Sequence, residues 1–177
     1  NGNDEAKKHL TVAGVCGAML KCLKVHTGNV DIVKQGIRTM MNLSSCENDE
    51  ARKQFIVAGA CGVLLECLEL HNENTGVVKQ GLWAMVNLSY KNDEAKQQFM
   101  AMGVYGVVLK CVEFHHIDAD VAMQGLRAMA NLSYENDKVK THFTAAGACG
   151  VMLKCLELHK GPGILYLPYP TGLPCDR

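Results

Sequence analysis

Residues 48–71 read NDEARKQFIVAGACGVLLECLELH, and close copies begin at Asn3 (NDEAKKHLTVAGVCGAMLKCLKVH), Asn92 (NDEAKQQFMAMGVYGVVLKCVEFH) and Asn136 (NDKVKTHFTAAGACGVMLKCLELH). Their starts lie 45, 44 and 44 residues apart. A period of this length, carried by helical patterning, means units that bury their apolar faces by stacking on one another. A second block follows in three copies: DIVKQGIRTMMNLSS at 31–45, GVVKQGLWAMVNLSY at 76–90 and DVAMQGLRAMANLSY at 120–134. The fourth copy lacks it. The expected architecture is therefore an all-α solenoid occupying residues 1–160. Its repeats lie near 3–47, 48–91 and 92–135, with a partial one at 136–160, and a Pro-rich tail follows at 161–177.

Each complete unit parses into three helices. Asn48 is a good N-cap, with Asp49 and Glu50 placing negative charge on the first turn and Asp49 in reach of Lys53 at i,i+4. The first helix ends at Gly59, and Gly59 and Gly62 bracket a sharp turn into the second. There Val63, Leu64, Cys67, Leu68 and His71 keep the helical rhythm. Asn72, Asn74 and Gly76 break that helix, and the third runs from about Val77 to Tyr90. Gly81 in mid-helix costs about 1 kcal/mol relative to Ala, yet it recurs as Gly36 and Gly125. A repeated cost points to close helix packing.

These residues resemble the armadillo-repeat family over roughly Asn3 to Lys160. The likeness rests on the 44-residue period, the Gly between first and second helices, the Leu-rich second helix and the Asn-Leu-Ser ending of the third. Residues 81–89, GLWAMVNLS, look like the tryptophan–asparagine element of importin-alpha. The resemblance implies a right-handed superhelix whose third helices line a concave groove that binds extended protein segments.

Spacings of three, four and three place residues 35, 38, 42 and 45 on one helix face. That face carries Gln35, Arg38, Asn42 and Ser45, then Gln80, Trp83, Asn87 and Tyr90, then Gln124, Arg127, Asn131 and Tyr134. The opposite face, with Val33, Ile37 and Met40, is apolar. Two roles are open to the three asparagines. Their amides suit the backbone of an extended peptide, or each satisfies its own helix end. With layers about 10 Å apart and an extended chain rising about 3.3 Å per residue, the ladder spans about six or seven peptide residues. No Asp or Glu occurs in 34–45, 79–90 or 123–134, whereas Lys34, Arg38, Lys79 and Arg127 do. An acidic or phosphorylated segment is the expected ligand, paired with arginine and resting a stem on Trp83.

Composition narrows the remaining classes. Eighteen basic residues balance eighteen acidic ones, so no overall charge draws the chain to nucleic acid or an anionic membrane. No apolar run approaches the roughly 18 residues of a membrane span, and NGNDEAKKHL lacks the form of a signal peptide. A cytoplasmic, possibly nuclear, protein is expected. The chain opens inside a repeat without Met, which reads as a piece of something longer. Nine cysteines are an odd number and fall within helical patterns, as expected of reduced, buried thiols. Cys22, Cys67, Cys111 and Cys155 recur one layer apart, too far to share a zinc ion.

Other signals are read as structural. Asn-Leu-Ser matches a glycosylation sequon but lies within helices. His26, His71, His115 and His159 close the second helices, where imidazole can cap carbonyls, and the Gly-x-x-Gly pairs lack the Gly-Lys-Ser/Thr of a phosphate loop. Recurrence at layer spacing is the opposite of residues converging on one catalytic point. We therefore expect no enzyme and no cofactor, but an interaction module. The alternative is a stacking segment of a larger scaffold or homo-oligomer that works through its end faces. The tail, with Pro168, Pro170 and Pro174, is open to three readings: a cap over the last layer, a pseudo-ligand, or an unstructured remnant.

Overall fold

The computed structural model describes residues 14–45 and 48–159. They form ten α-helices and, among the described residues, no strand. The first copy contributes α1 (Val15–Val25) and α2 (Val30–Leu43). The second contributes α3 (Asp49–Val57), α4 (Ala60–Leu70) and α5 (Thr75–Ser89). The third contributes α6 (Asp93–Ala101), α7 (Val104–Phe114) and α8 (Ala119–Ser133), and the fourth α9 (Asp137–Ala145) and α10 (Ala148–Leu158). The first helix expected of the first copy and the readings of the tail fall outside the described residues.

Local chemistry sets the boundaries. Asn48, Asn92 and Asn136 accept hydrogen bonds from the amides of Ala51, Ala95 and Val139 at 3.1, 2.9 and 3.2 Å, starting the first helix of each copy. Between first and second helices, Gly59 adopts φ 87°, a left-handed conformation that a side chain would strain. The turn is tighter than the sequence suggests, since α4 starts at Ala60 and already includes Gly62. The third helix also starts earlier. Asn74 is its N-cap, bonded to the amide of Val77 at 3.1 Å, and Gly76 is absorbed into the first turn. Asp49 pairs with Arg52, three residues on, and not with Lys53. Lys53 points to solvent, while Arg52 lies buried with its guanidinium carbon 5.9 Å from the centre of the Tyr90 ring.

One continuous apolar core threads all four copies. Phe55, Phe99 and Phe143 anchor the first helices, Leu20, Leu64 and Val108 the second, and Ile37, Leu82 and Leu126 the third. The third helices α2, α5 and α8 pack on one another in sequence, and in the first three copies the second helix packs on the third helix of its own copy. At that seam the mid-helix glycines are explained. A Cβ on Gly81 would lie 2.5 Å from Cδ2 of Leu68. Gly36 is seated in the same way under Leu23, and Gly125 under Val112. Leu156 holds the corresponding place in the fourth copy; no described third helix covers it, and it is 41% exposed.

Burial also decides the cysteine chemistry. It pushes the Cys61 thiol up to about 12 and those of Cys67 and Cys111 up to about 11, because a thiolate is poorly solvated in an apolar core. In the unfolded chain these thiols ionise near their ordinary value of 9.0. The unfolded state therefore gives up protons first as pH rises, and the stability held below pH 9 drains away between about 9 and 12. Urea melts at pH 8 and pH 10.5 should show the midpoint falling at the higher pH, and replacing Cys61 and Cys111 by alanine should flatten that fall.

Candidate peptide-binding face

The polar stripe lies on α2, α5 and α8, and the structure divides it into residues that remain accessible and residues spent on joining one copy to the next. Arg38 is exposed, and Trp83 and Arg127, at the same position in the next two copies, are half-buried. Gln35 and Asn42 are exposed as well. Further along the stripe accessibility falls: Gln80 is half-buried and Gln124 is buried. Among the described residues, Gln80 finds no hydrogen-bond partner for its buried Oε1.

Asn87 and Asn131 are engaged in a way that neither reading of the sequence included. Asn87 is buried, and its Nδ2 donates to the carbonyl of Met41 at 3.2 Å, in the preceding copy. Asn131 repeats the arrangement, donating to the carbonyl of Val86 at 3.3 Å and to Oγ of Ser89 at 2.7 Å. Each amide thus satisfies the helix end one layer back, and not its own. The carbonyls in the last turn of a helix have no partner within it, which is why an amide from the next layer fits there. Asn42 has no such bond among the described residues.

The tyrosines are also partly committed. Tyr90 is buried against Arg52, with Nζ of Lys91 5.1 Å from its ring centre. Tyr134 stays 45% exposed, and Nζ of Lys96 lies 5.8 Å from its ring centre. Ser45 is half-buried, and its Oγ has no partner among the described residues.

Charge on this face is lower than the sequence windows imply. Lys79 forms an ion pair with Asp120, at the start of α8 and just outside the acid-free window. Lys34, at the corresponding place in the first copy, meets Gly76 instead of a carboxylate, with its Cε 2.9 Å from where a Cβ would stand. Among the described residues, positive charge free of a carboxylate partner on this face therefore rests on Lys34, Arg38 and Arg127.

Three of the histidines that close the second helices form a second ladder. Nε2 of His71, His115 and His159 lies 2.6, 2.7 and 2.8 Å from the carbonyls of Thr27, Asn72 and His116. Imidazole does bond carbonyls here, but those of the previous copy. The signal was present in the regular recurrence of histidine at the layer period; what was missing was the direction in which each ring points. Among the described residues no three of His, Cys, Asp and Glu gather as a metal site, and no helix is long and apolar enough to cross a membrane.

Compared with known proteins, the chain matches no family model, and neither a curated protein nor a solved structure is significantly similar to it. The arrangement must be read from its own chemistry: a face with two arginines and a tryptophan at equivalent positions of three adjoining helices, held in register by two sets of bonds between layers.

Proposed function

We propose that the chain is an armadillo-type, right-handed helical solenoid that binds an extended acidic or phosphorylated protein segment along its third helices. The observation that carries this reading is the row Arg38, Trp83 and Arg127. All three occupy the same helical position in successive copies and keep exposed surface. With layers about 10 Å apart and about 3.3 Å per extended residue, the two arginines suit acidic groups about six residues apart, with a stem between them over Trp83. Guanidinium pairs with carboxylate or phosphate in two parallel hydrogen bonds, and an indole face accepts an apolar or cationic stem.

In this reading Asn87 and Asn131 keep the reading helices aligned. No catalytic step is assigned. The partner is a protein, not nucleic acid or membrane, a choice supported by the balanced charge of the chain. A cytoplasmic or nuclear setting is supported by the thiols among the described residues, which are free and mostly buried.

Titration followed by Trp83 fluorescence tests the proposal. Peptides with Glu or phosphoserine six residues apart should bind at least about tenfold more tightly than Lys counterparts, a difference of about 1.4 kcal/mol. Arg38→Glu with Arg127→Glu should reverse that order. Equal affinity for the acidic and basic peptides would sink the charge assignment. The stacking alternative draws support from a different surface, the open face of the first described layer.

A further inference from the structure

The face of α1 and α2 that points away from the second copy holds a groove of about 400 Å³ lined by Met19, Cys22, Leu23, Asp31, Ile32 and Gly36, among others. The matching positions in the second copy are Leu64, Cys67, Leu68, Val77 and Gly81, and in the third Val108, Cys111, Val112, Val121 and Gly125; all are buried. In the first copy Cys22 is exposed and Met19, Ile32 and Gly36 are half-buried.

Three polar groups on the same face repeat the comparison. Asn42 corresponds to Asn87 and Asn131, which donate to carbonyls of the preceding copy, but it is exposed and has no partner among the described residues. His26 corresponds to His71, His115 and His159, which reach carbonyls one copy back, and it too is exposed. Asp31 corresponds to Asp120, which is paired with Lys79 of the preceding copy, yet its own carboxylate has no ion pair among the described residues.

We propose that this face is a docking site for a further three-helix layer of the same kind, supplied by a partner polypeptide. That layer presents a lysine to Asp31, carbonyls to Asn42 and His26, and apolar side chains to the groove. The carboxylate favours such a partner over a second copy of this chain stacked head to tail. The fourth copy of the sequence lacks the block that carries Lys79 in the second copy, so a second copy offers Asp31 no counterpart of that lysine.

The probe is a form of the full chain in which residues 160–177 are replaced by a copy of residues 72–91, completing a fourth layer that carries the lysine. This probe also carries Ile32→Glu to block its own groove. Mixed with the unaltered chain, it should form a 1:1 complex by light scattering and slow alkylation of Cys22 at least tenfold, read by peptide mapping. Asp31→Lys in the unaltered chain should weaken the complex about tenfold, and lysine to aspartate in the grafted helix should restore it.

A helical probe that leaves Cys22 alkylating at its original rate would overturn the proposal. So would concentration-dependent dimerisation of the unaltered chain that protects Cys22, because the occupant would then be a second copy. If the probe does not fold, residues 48–91 duplicated ahead of Asn3 in the full chain present the same layer in cis. Unchanged Cys22 alkylation there overturns the proposal, and at least tenfold protection, reversed by Asp31→Lys, supports it.

Discussion

Gly125→Leu is expected to lower stability by more than about 3 kcal/mol, read as a shift in urea midpoint, with loss of the native fold at moderate temperature. A Cβ at this position collides with Cγ2 of Val112, which is fully buried. Valine in a helix has essentially one χ1 rotamer, so it cannot turn aside, and overpacking costs typically about 1–3 kcal/mol before the rest of a leucine side chain is added. Gly125→Ala is the more discriminating variant. Helix propensity alone would favour alanine by about 1 kcal/mol, whereas the collision opposes it, and we expect a net loss of about 1 kcal/mol or more.

Pairing Gly125→Ala with Val112→Ala should remove the clash, so the double variant should lose less than the sum of the two single changes. The same substitution at Gly106 has nothing within 4 Å to meet and should stabilise by up to about 1 kcal/mol. If Gly125→Ala and Gly106→Ala behaved alike, the close seam between second and third helices would be disproved.

Asn131→Ala should cost about 2 kcal/mol and loosen the coupling between the second and third copies. It removes donations to the carbonyl of Val86 and to Oγ of Ser89. Each hydrogen bond contributes about 0.5–1.5 kcal/mol net, and without Asn131 the Val86 carbonyl keeps the longer bond from Oγ of Ser89, at 3.4 Å. Asn87→Ala should act similarly through the carbonyl of Met41. Asn42→Ala should leave stability within about 0.5 kcal/mol, because that side chain is exposed.

Stability in a stacked array is a sum of unit and interface contributions, so weakening one interface should also separate the unfolding of the two halves. Hydrogen exchange would detect this as unequal protection on either side of the substitution. Peptide affinity lost in Asn87→Ala with stability unchanged would instead return this asparagine to the ligand.

Much of the scaffold was legible in the sequence. Asn48, Asn92 and Asn136 announced the first helices because an N-cap is a local interaction, complete within three residues. The repeated glycines at 36, 81 and 125 announced close packing because the cost of glycine in a helix recurs only where something offsets it. The alternation of polar and apolar positions on the third helices placed the stripe on one face and Val33, Ile37 and Met40 on the other, and those three are indeed buried.

What remained hidden lies between layers. Lys79 and Asp120 are 41 residues apart, and Asn87 and Met41 are 46 apart. These offsets straddle the repeat period and depend on how far each helix is tilted and shifted against its neighbour. Helical periodicity fixes which residues share a face, but not what the next layer brings against it. The sequence by itself determined the repeats, the helix order and the apolar face of each helix, since these follow from short-range caps, turns and periodicity. Only the tertiary structure decided that Asn87, Asn131 and Lys79 join layers while Arg38, Trp83 and Arg127 keep accessible surface, because accessibility is settled by side chains a whole repeat away.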